Sequence, residues 1–198
     1  MRIKENLTNT IIIQRSEFIT YLFRVFTEAE AREKIKEVRK MHGDATHVCT
    51  AFIKDNRSVQ RSNDDGEPAG TAGMPMLDAL KKNDMEDILA CTVRYFGGIK
   101  LGAGGLVRAY SSSVADALKL AIKTEKVILP VHAVTFSYDA IGKIDYLFKN
   151  INVLDKDYGT EVTYLYATQE DMSQKLQEIT SGKAIIEFIE NREEEIIV

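Results

Sequence analysis

The spacing of apolar and polar residues changes several times along the chain, and each change predicts an element. Residues 10–13 and 18–26 are rich in β-branched and aromatic side chains, with Gln14, Arg15, Ser16 and Glu17 as a polar break, which predicts two strands in a hairpin. At Thr27 the pattern becomes helical. Thr27-Glu28-Ala29-Glu30 has the form of a helix cap with an acidic first turn, and Ala31, Ile35 and Val38 recur at helical spacing until Gly43. Residues 46–54 alternate His47, Cys49, Ala51 and Ile53 with Val48, Thr50 and Phe52, the period of a strand, and residues 58–62 are expected to pair with it across Asp55-Asn56-Arg57. Met74, Leu77, Ala79 and Leu80 predict a short helix entered through Pro75, a residue that suits a first helical turn. Residues 87–96 form a strongly apolar strand that ends in a glycine-rich turn. From Gly105 to Lys123, Leu106, Ala109, Tyr110, Val114, Ala117, Leu118 and Ala121 mark a long helix, with small Ser111, Ser112 and Ser113 in its middle.

Around Pro130 the pattern resets. The remainder parses as strand 131–138, helix 140–150, strand 152–158, strand 161–168, helix 170–180 and strand 184–190, with Asp157-Tyr158-Gly159 as a turn and Ser181-Gly182 ending the second helix. This βαββαβ order is the ferredoxin-like one, so the expected class is α+β with two domains, residues 1–130 and 131–198.

With 198 residues, 44% of them hydrophobic, the chain has enough apolar surface for one large core or two small ones. Its longest apolar runs fall far short of the roughly 20 residues of a membrane span, and MRIKENLTNT lacks an apolar signal core; a cytoplasmic protein with no membrane partner is expected. Two cysteines in strand-like runs, Cys49 and Cys91, suit reduced thiols. The formal net charge of -4 hides a division: residues 1–130 carry 20 Lys and Arg against 17 Asp and Glu, a net +3, and residues 131–198 carry 6 against 13, a net -7. An anionic ligand should prefer the first part.

Two stretches of the first part carry candidate chemistry. Residues 94–108 place five glycines, Gly97, Gly98, Gly102, Gly104 and Gly105, between a strand and a helix, where backbone N–H groups and a helix start favour an anion and Lys100 and Arg108 add full charges. Neither a P-loop nor a dinucleotide fingerprint is present. The competing reading is that the glycines serve turns and close helix-to-strand packing. Arg94, Tyr95 and Phe96 either stack on unpaired bases at the rim of such a site or belong to the core.

In RSNDDGEPAGTAGMPM, residues 61–76, Asp64, Asp65 and Glu67 have three readings: a divalent-cation site, a general acid and base, or carboxylates that order their loop by accepting from Thr71 and from backbone N–H groups. The last is favoured, and an ion pair from Arg61 or Arg94 to Asp64 or Asp65 would tie the two stretches together. His42, His47 and Cys49 are too few for structural zinc, and Cys49 lacks a feature that would activate it. Cys91 reads as core, His132 has no visible partner, and the three serines lack a nucleophile-elbow pattern. No metal site and no cofactor is expected.

Residues 61–73 followed by 94–110, with Thr46-His47-Val48-Cys49 before them, closely resemble the IMPACT family, also called the YigZ or UPF family in bacteria. The likeness runs through most of residues 1–130, and the C-terminal part resembles the small ferredoxin-like domain of bacterial members. The resemblance implies an N-terminal fold similar to the second domain of small-subunit ribosomal protein five and a C-terminal fold similar to the fifth domain of elongation factor G. Eukaryotic members regulate translation but carry an additional N-terminal RWD domain that this chain is expected to lack, so their partner is not carried over. The expected function is a translation-linked regulatory module, non-enzymatic, that binds RNA or a ribosome-associated partner through Arg94, Tyr95, Gly97, Gly98, Lys100, Gly102, Gly104, Gly105 and Arg108, with Asp64, Asp65, Glu67 and Thr71 ordering the neighbouring loop. The alternative is a hydrolase or transferase acting on a phosphorylated small molecule with the clustered carboxylates. A weaker third possibility is an adaptor that binds protein through its acidic second part.

Overall fold

The computed structural model describes residues 1–54 and 57–198; Asp55 and Asn56 of the expected turn lie outside the described residues. The chain forms two compact units, Met1–Glu125 with Ile197–Val198, and Lys126–Ile196.

In the first unit the elements are β1 (Arg2–Ile3), β2 (Leu7–Ile13), β3 (Ser16–Arg24), α1 (Glu28–Met41), β4 (His47–Lys54), β5 (Val59–Asn63), α2 (Gly73–Lys82), β6 (Ile88–Tyr95) and α3 (Gly102–Leu120). Strands β2-β3-β6-β4-β5 form one sheet in which each neighbouring pair is antiparallel. Helices α2 and α3 pack on one face around Phe18, Leu22, Met76, Tyr110 and Val114, and α1 covers the other over Val38, Val48, Phe52 and Cys91. Being covered twice, β6 buries every residue from Ile88 to Arg94, which is why its sequence is a continuous apolar run rather than an alternation.

The local signals act as their chemistry requires. Thr27 Oγ1 accepts from Glu30 N at 3.1 Å, and Glu30 Oε2 accepts from Phe26 N at 2.7 Å, so the entry to α1 is closed by side chains from both directions. Of the three central serines of α3, only Ser113 is buried; its Oγ lies 3.5 Å from Thr92 Oγ1, which is 2.9 Å from Thr20 Oγ1. Helix α3 starts at Gly102, three residues before the expected Gly105, so Gly102 and Gly104 belong to its first turn.

Strand β7 (Lys123–Phe136) starts before residue 131 and passes through Pro130. The second unit continues through a single 3-10 turn, Tyr138–Ala140, into α4 (Ile141–Leu147), β8 (Asn152–Tyr158), β9 (Val162–Ala167), α5 (Ser173–Ile179) and β10 (Ile185–Ile197). Residues Val131–Phe136 of β7 pair with β9, β9 pairs with β8, and β10 pairs with β7, giving βαββαβ in sequence. Phe136, Ile144, Phe148, Tyr164, Tyr166 and Leu176 fill its core, with Phe148 and Tyr166 rings 4.8 Å apart.

Candidate anion-binding site

Strand alternation decides which end-of-β6 side chains reach the glycine segment. Arg94 projects to the face of α2 and α3, where its side chain is 6% exposed; Tyr95 projects to the opposite face. There the Tyr95 hydroxyl lies 2.8 Å from His42 Nδ1 and donates to Asp44 Oδ1, while His42 Nε2 is 2.7 Å from the Tyr21 hydroxyl. The rim position expected for Arg94 and Tyr95 is therefore corrected. Arg94 is a buried cation and Tyr95 is on the wrong side of the sheet. The exposed aromatic is Phe96, with the Arg94 guanidinium 5.5 Å from its ring centre.

The glycines divide into two kinds. A Cβ on Gly97 would sit 2.0 Å from the Arg15 carbonyl carbon, so this glycine permits the β2–β3 turn to cross the end of β6. Its amide donates to Ser16 Oγ at 3.2 Å, and the Phe96 amide donates to Thr46 Oγ1. Gly98 and Gly102 instead have φ of 83° and 70°. Among the described residues, no group accepts a hydrogen bond from the backbone amides of residues 98–104. Lys100 lines a cavity of about 300 Å³ with Gly102, Phe96, Arg94, Glu67 and His47. The Arg108 guanidinium folds back over the helix start, with Nη1 3.6 Å from where a Gly104 Cβ would stand. Lys100, Leu101, Gly102 and Ala103 line the cavity at the start of a 19-residue helix, whereas Gly98, Gly104, Gly105 and Arg108 are not part of its lining.

Across from it, the carboxylates of the 61–73 loop face inward. Asp64 Oδ2 accepts from Gly70 N at 2.8 Å, and its Oδ1 accepts from Ala72 N at 3.0 Å and Gly73 N at 2.8 Å. Partial burial works to raise the Asp64 pKa, but the three amide bonds outweigh it and hold the carboxyl below its ordinary value. Asp64 thereby caps α2 from a distance, since Ala72 at the cap position has no side chain that accepts. Asp65 Oδ2 accepts from Val48 N at 2.7 Å and its Oδ1 from Arg39 at 2.6 Å, with the residue in the left-handed region at φ 46°. Thr71 Oγ1 donates to the Pro68 carbonyl rather than to a carboxylate. A Cβ on Gly73 would meet the Asn63 backbone at 2.6 Å, which fixes glycine there.

Glu67 does more than order the loop. Its side chain is 3% exposed; Oε1 accepts from Arg94 Nη1 at 2.7 Å and from the Tyr110 hydroxyl at 2.8 Å. The bond between the two stretches is thus Arg94 to Glu67, not to Asp64 or Asp65, while Arg61 pairs with Glu28. His47 and Cys49 share a strand face as expected, but each is tied to the loop backbone: His47 Nδ1 lies 2.8 Å from the Asp65 carbonyl, and Cys49 Sγ donates to the Asp64 carbonyl. Burial, followed by nearby carboxylates, pushes the Cys49 thiol up to about 12 against a smaller opposing hydrogen bond from Tyr110, which favours the thiol over the thiolate. Burial raises the Cys91 thiol further still. Among the described residues, no group of three or more His, Cys, Asp or Glu side chains is placed to hold a metal. His132, in the second unit, stacks on Tyr166 with ring centres 5.7 Å apart.

Tyr110, Ser16 and Thr46 were not singled out by the sequence. Tyr110 read as one more apolar residue of α3, and a lone Ser or Thr at a strand end carries no pattern. A tyrosine at a fully buried helical position must find a hydroxyl partner, and that requirement was the available signal.

The chain is similar in sequence and in mixed α/β fold to known proteins. The Impact N-terminal domain family matches residues 14–118. The IMPACT family member YvyE of Bacillus subtilis is 41% identical over 191 residues, 93% of this chain and 88% of that protein. The IMPACT family member YigZ of Escherichia coli is 34% identical over 187 residues, covering 90% and 92%. A crystal structure described as a hypothetical protein superposes with a TM-score of 0.59 at 33% identity, over 95% of this chain and 96% of that one. The chain belongs to the IMPACT family.

Proposed function

We propose that this protein is a translation-linked regulatory module that binds RNA or a ribosome-associated factor through the amide cluster of residues 98–104, with Lys100 and Arg108 as phosphate contacts. The observation that carries the reading is that, among the described residues, no group accepts from the backbone amides of residues 98–104, whereas the amides of Gly70, Ala72 and Gly73 at the neighbouring helix start are taken by Asp64. The net +3 of residues 1–130 supports it, as does the family resemblance, with its implied likeness to ribosomal protein five and elongation factor G domains. The two domains proposed are residues 1–130 and 131–198, and the proposed location is the cytoplasm. Replacing Lys100 and Arg108 by Ala together should weaken RNA binding and reduce the slope of log affinity against log salt by about one to two. An unchanged slope overturns the assignment.

The enzymatic alternative is favoured by one observation, the cavity that joins Glu67 to Gly102 and Lys100. Against it, both oxygens of Asp64 and of Asp65 are already occupied by the chain's own donors. Phosphate release from a panel of phosphate monoesters that is lost in a folded Glu67→Gln variant would establish turnover in place of binding.

A further inference from the structure

Beside the amide cluster, the same cavity presents a second chemistry that phosphate binding does not use. Glu67 Oε1 is doubly occupied, whereas among the described residues Oε2 accepts no hydrogen bond although the side chain is 3% exposed. His47 Nε2 lies 3.8 Å from Glu67 Oε2, beyond hydrogen-bond reach. Because His47 Nδ1 faces the Asp65 carbonyl, which only accepts, Nδ1 carries a proton, and in that tautomer of the imidazole Nε2 is an acceptor as well. In that tautomer two acceptors face each other at the cavity, and no group of the described residues donates to either. Neither atom is among the fully buried groups left without a partner, so both are open to the cavity, where hydroxyl donors of a ligand can reach them.

We propose that the cavity takes the sugar and phosphate of one ribonucleotide. The vicinal 2′- and 3′-hydroxyls donate to Glu67 Oε2 and His47 Nε2, as ribose hydroxyls do to acidic side chains elsewhere. The 5′-phosphate rests on the amides of residues 98–104 beside Lys100. The base stacks on Phe96, which is 47% exposed. Arg94 neutralises Glu67, so the acceptor pair adds no net repulsion against the phosphate. A volume of about 300 Å³ suits one nucleotide rather than a strand. Two sources present this group: a free nucleoside 5′-monophosphate, and the 3′-terminal nucleotide of an RNA, whose last ribose keeps both hydroxyls. The inference rests on the anion site proposed above.

The test is calorimetric titration of the full chain with adenosine 5′-monophosphate, its 2′-deoxy analogue, adenosine and inorganic phosphate, alongside anisotropy with short RNAs ending in a 3′-hydroxyl or a 3′-phosphate. The monophosphate should bind at least about tenfold more tightly than the deoxy analogue, the loss expected for one hydrogen bond to a charged acceptor. Phe96→Ala, at an exposed ring, should weaken the monophosphate with the fold intact. Glu67→Gln, if circular dichroism shows it folded, should erase the preference for the 2′-hydroxyl. Preference for the 3′-hydroxyl RNA would name an RNA end as the source; tight monophosphate binding without RNA binding would name the free nucleotide and overturn the RNA reading alone. Equal affinity for monophosphate and deoxy analogue overturns the ribose site. RNA binding that depends on Lys100 and Arg108 but ignores the 3′ end, with no monophosphate binding, overturns it too and leaves the RNA face standing.

Discussion

Residues 61–73 and 97–104 are both glycine-bearing stretches that lead into a helix, α2 and α3, and both gather backbone amides at its start. In the first, Asp64 reaches in and accepts from Gly70, Ala72 and Gly73. In the second no side chain of the described residues does the same for residues 98–104, and Lys100 and Arg108 stand where a carboxylate would be welcome. The same backbone chemistry is thus closed by an internal anion at one helix and left open at the other. What separates structure from site here is the absence of one carboxylate, not the presence of a special glycine pattern.

The largest effect is expected at the contact that joins the two stretches. Arg94→Met leaves Glu67 charged and buried, which should lower unfolding free energy by about 3–5 kcal/mol in urea denaturation. Adding Glu67→Gln should recover part of this, since the uncompensated charge is then gone; a double variant no more stable than Arg94→Met would mean that the pair matters for packing rather than charge.

Next comes the closed stretch. Asp64→Ala removes the acceptor of three amides and should cost about 2 kcal/mol, with α2 fraying first in hydrogen exchange. The wild-type pH dependence follows from the lowered Asp64 pKa. A folded-state pKa below the unfolded one gives stability that is complete above the ordinary carboxylate pKa of about 3.9 and is lost as pH falls through the folded value. The stability difference between wild type and Asp64→Ala should therefore shrink below about pH 4. A difference that stays constant down to pH 2 would show that the contribution is not ionic.

Much of this was legible beforehand where one residue controls its own neighbourhood. Thr27 announced the α1 cap, and the crowded carboxylates pointed to a loop ordered by backbone amides, although Thr71 donates to the Pro68 carbonyl and not to them. The Tyr95 error has a different origin: β6 is covered on both faces, so its apolar run carries no sign of which face each side chain takes. Arg94 was matched to the wrong carboxylate because Asp64, Asp65 and Glu67 differ only in reach, and the loop's positive φ at Asp65 and Gly66, which turns Glu67 inward, is not written in charge spacing. Strand β7 was cut at Pro130, since proline reads as a breaker although the strand runs on through it. Likewise the glycines hid the true start of α3.

The smallest stability change carries the sharpest test of the comparison. Gly104 is the third residue of α3, and a Cβ there meets only Arg108 Nη1, at 3.6 Å. Gly104→Asp would place a carboxylate among the open amides as Asp64 does at α2. Helix propensity and the favourable charge at a helix start should raise stability by about 1 kcal/mol, read as a higher urea midpoint. The same carboxylate should compete with phosphate and pair with Arg108, so RNA affinity should fall as far as in the Lys100→Ala, Arg108→Ala double variant. A stabilised protein that still binds RNA at full strength would mean that the amides of 98–104 are not where the ligand sits, and the open stretch would then be only an uncapped helix.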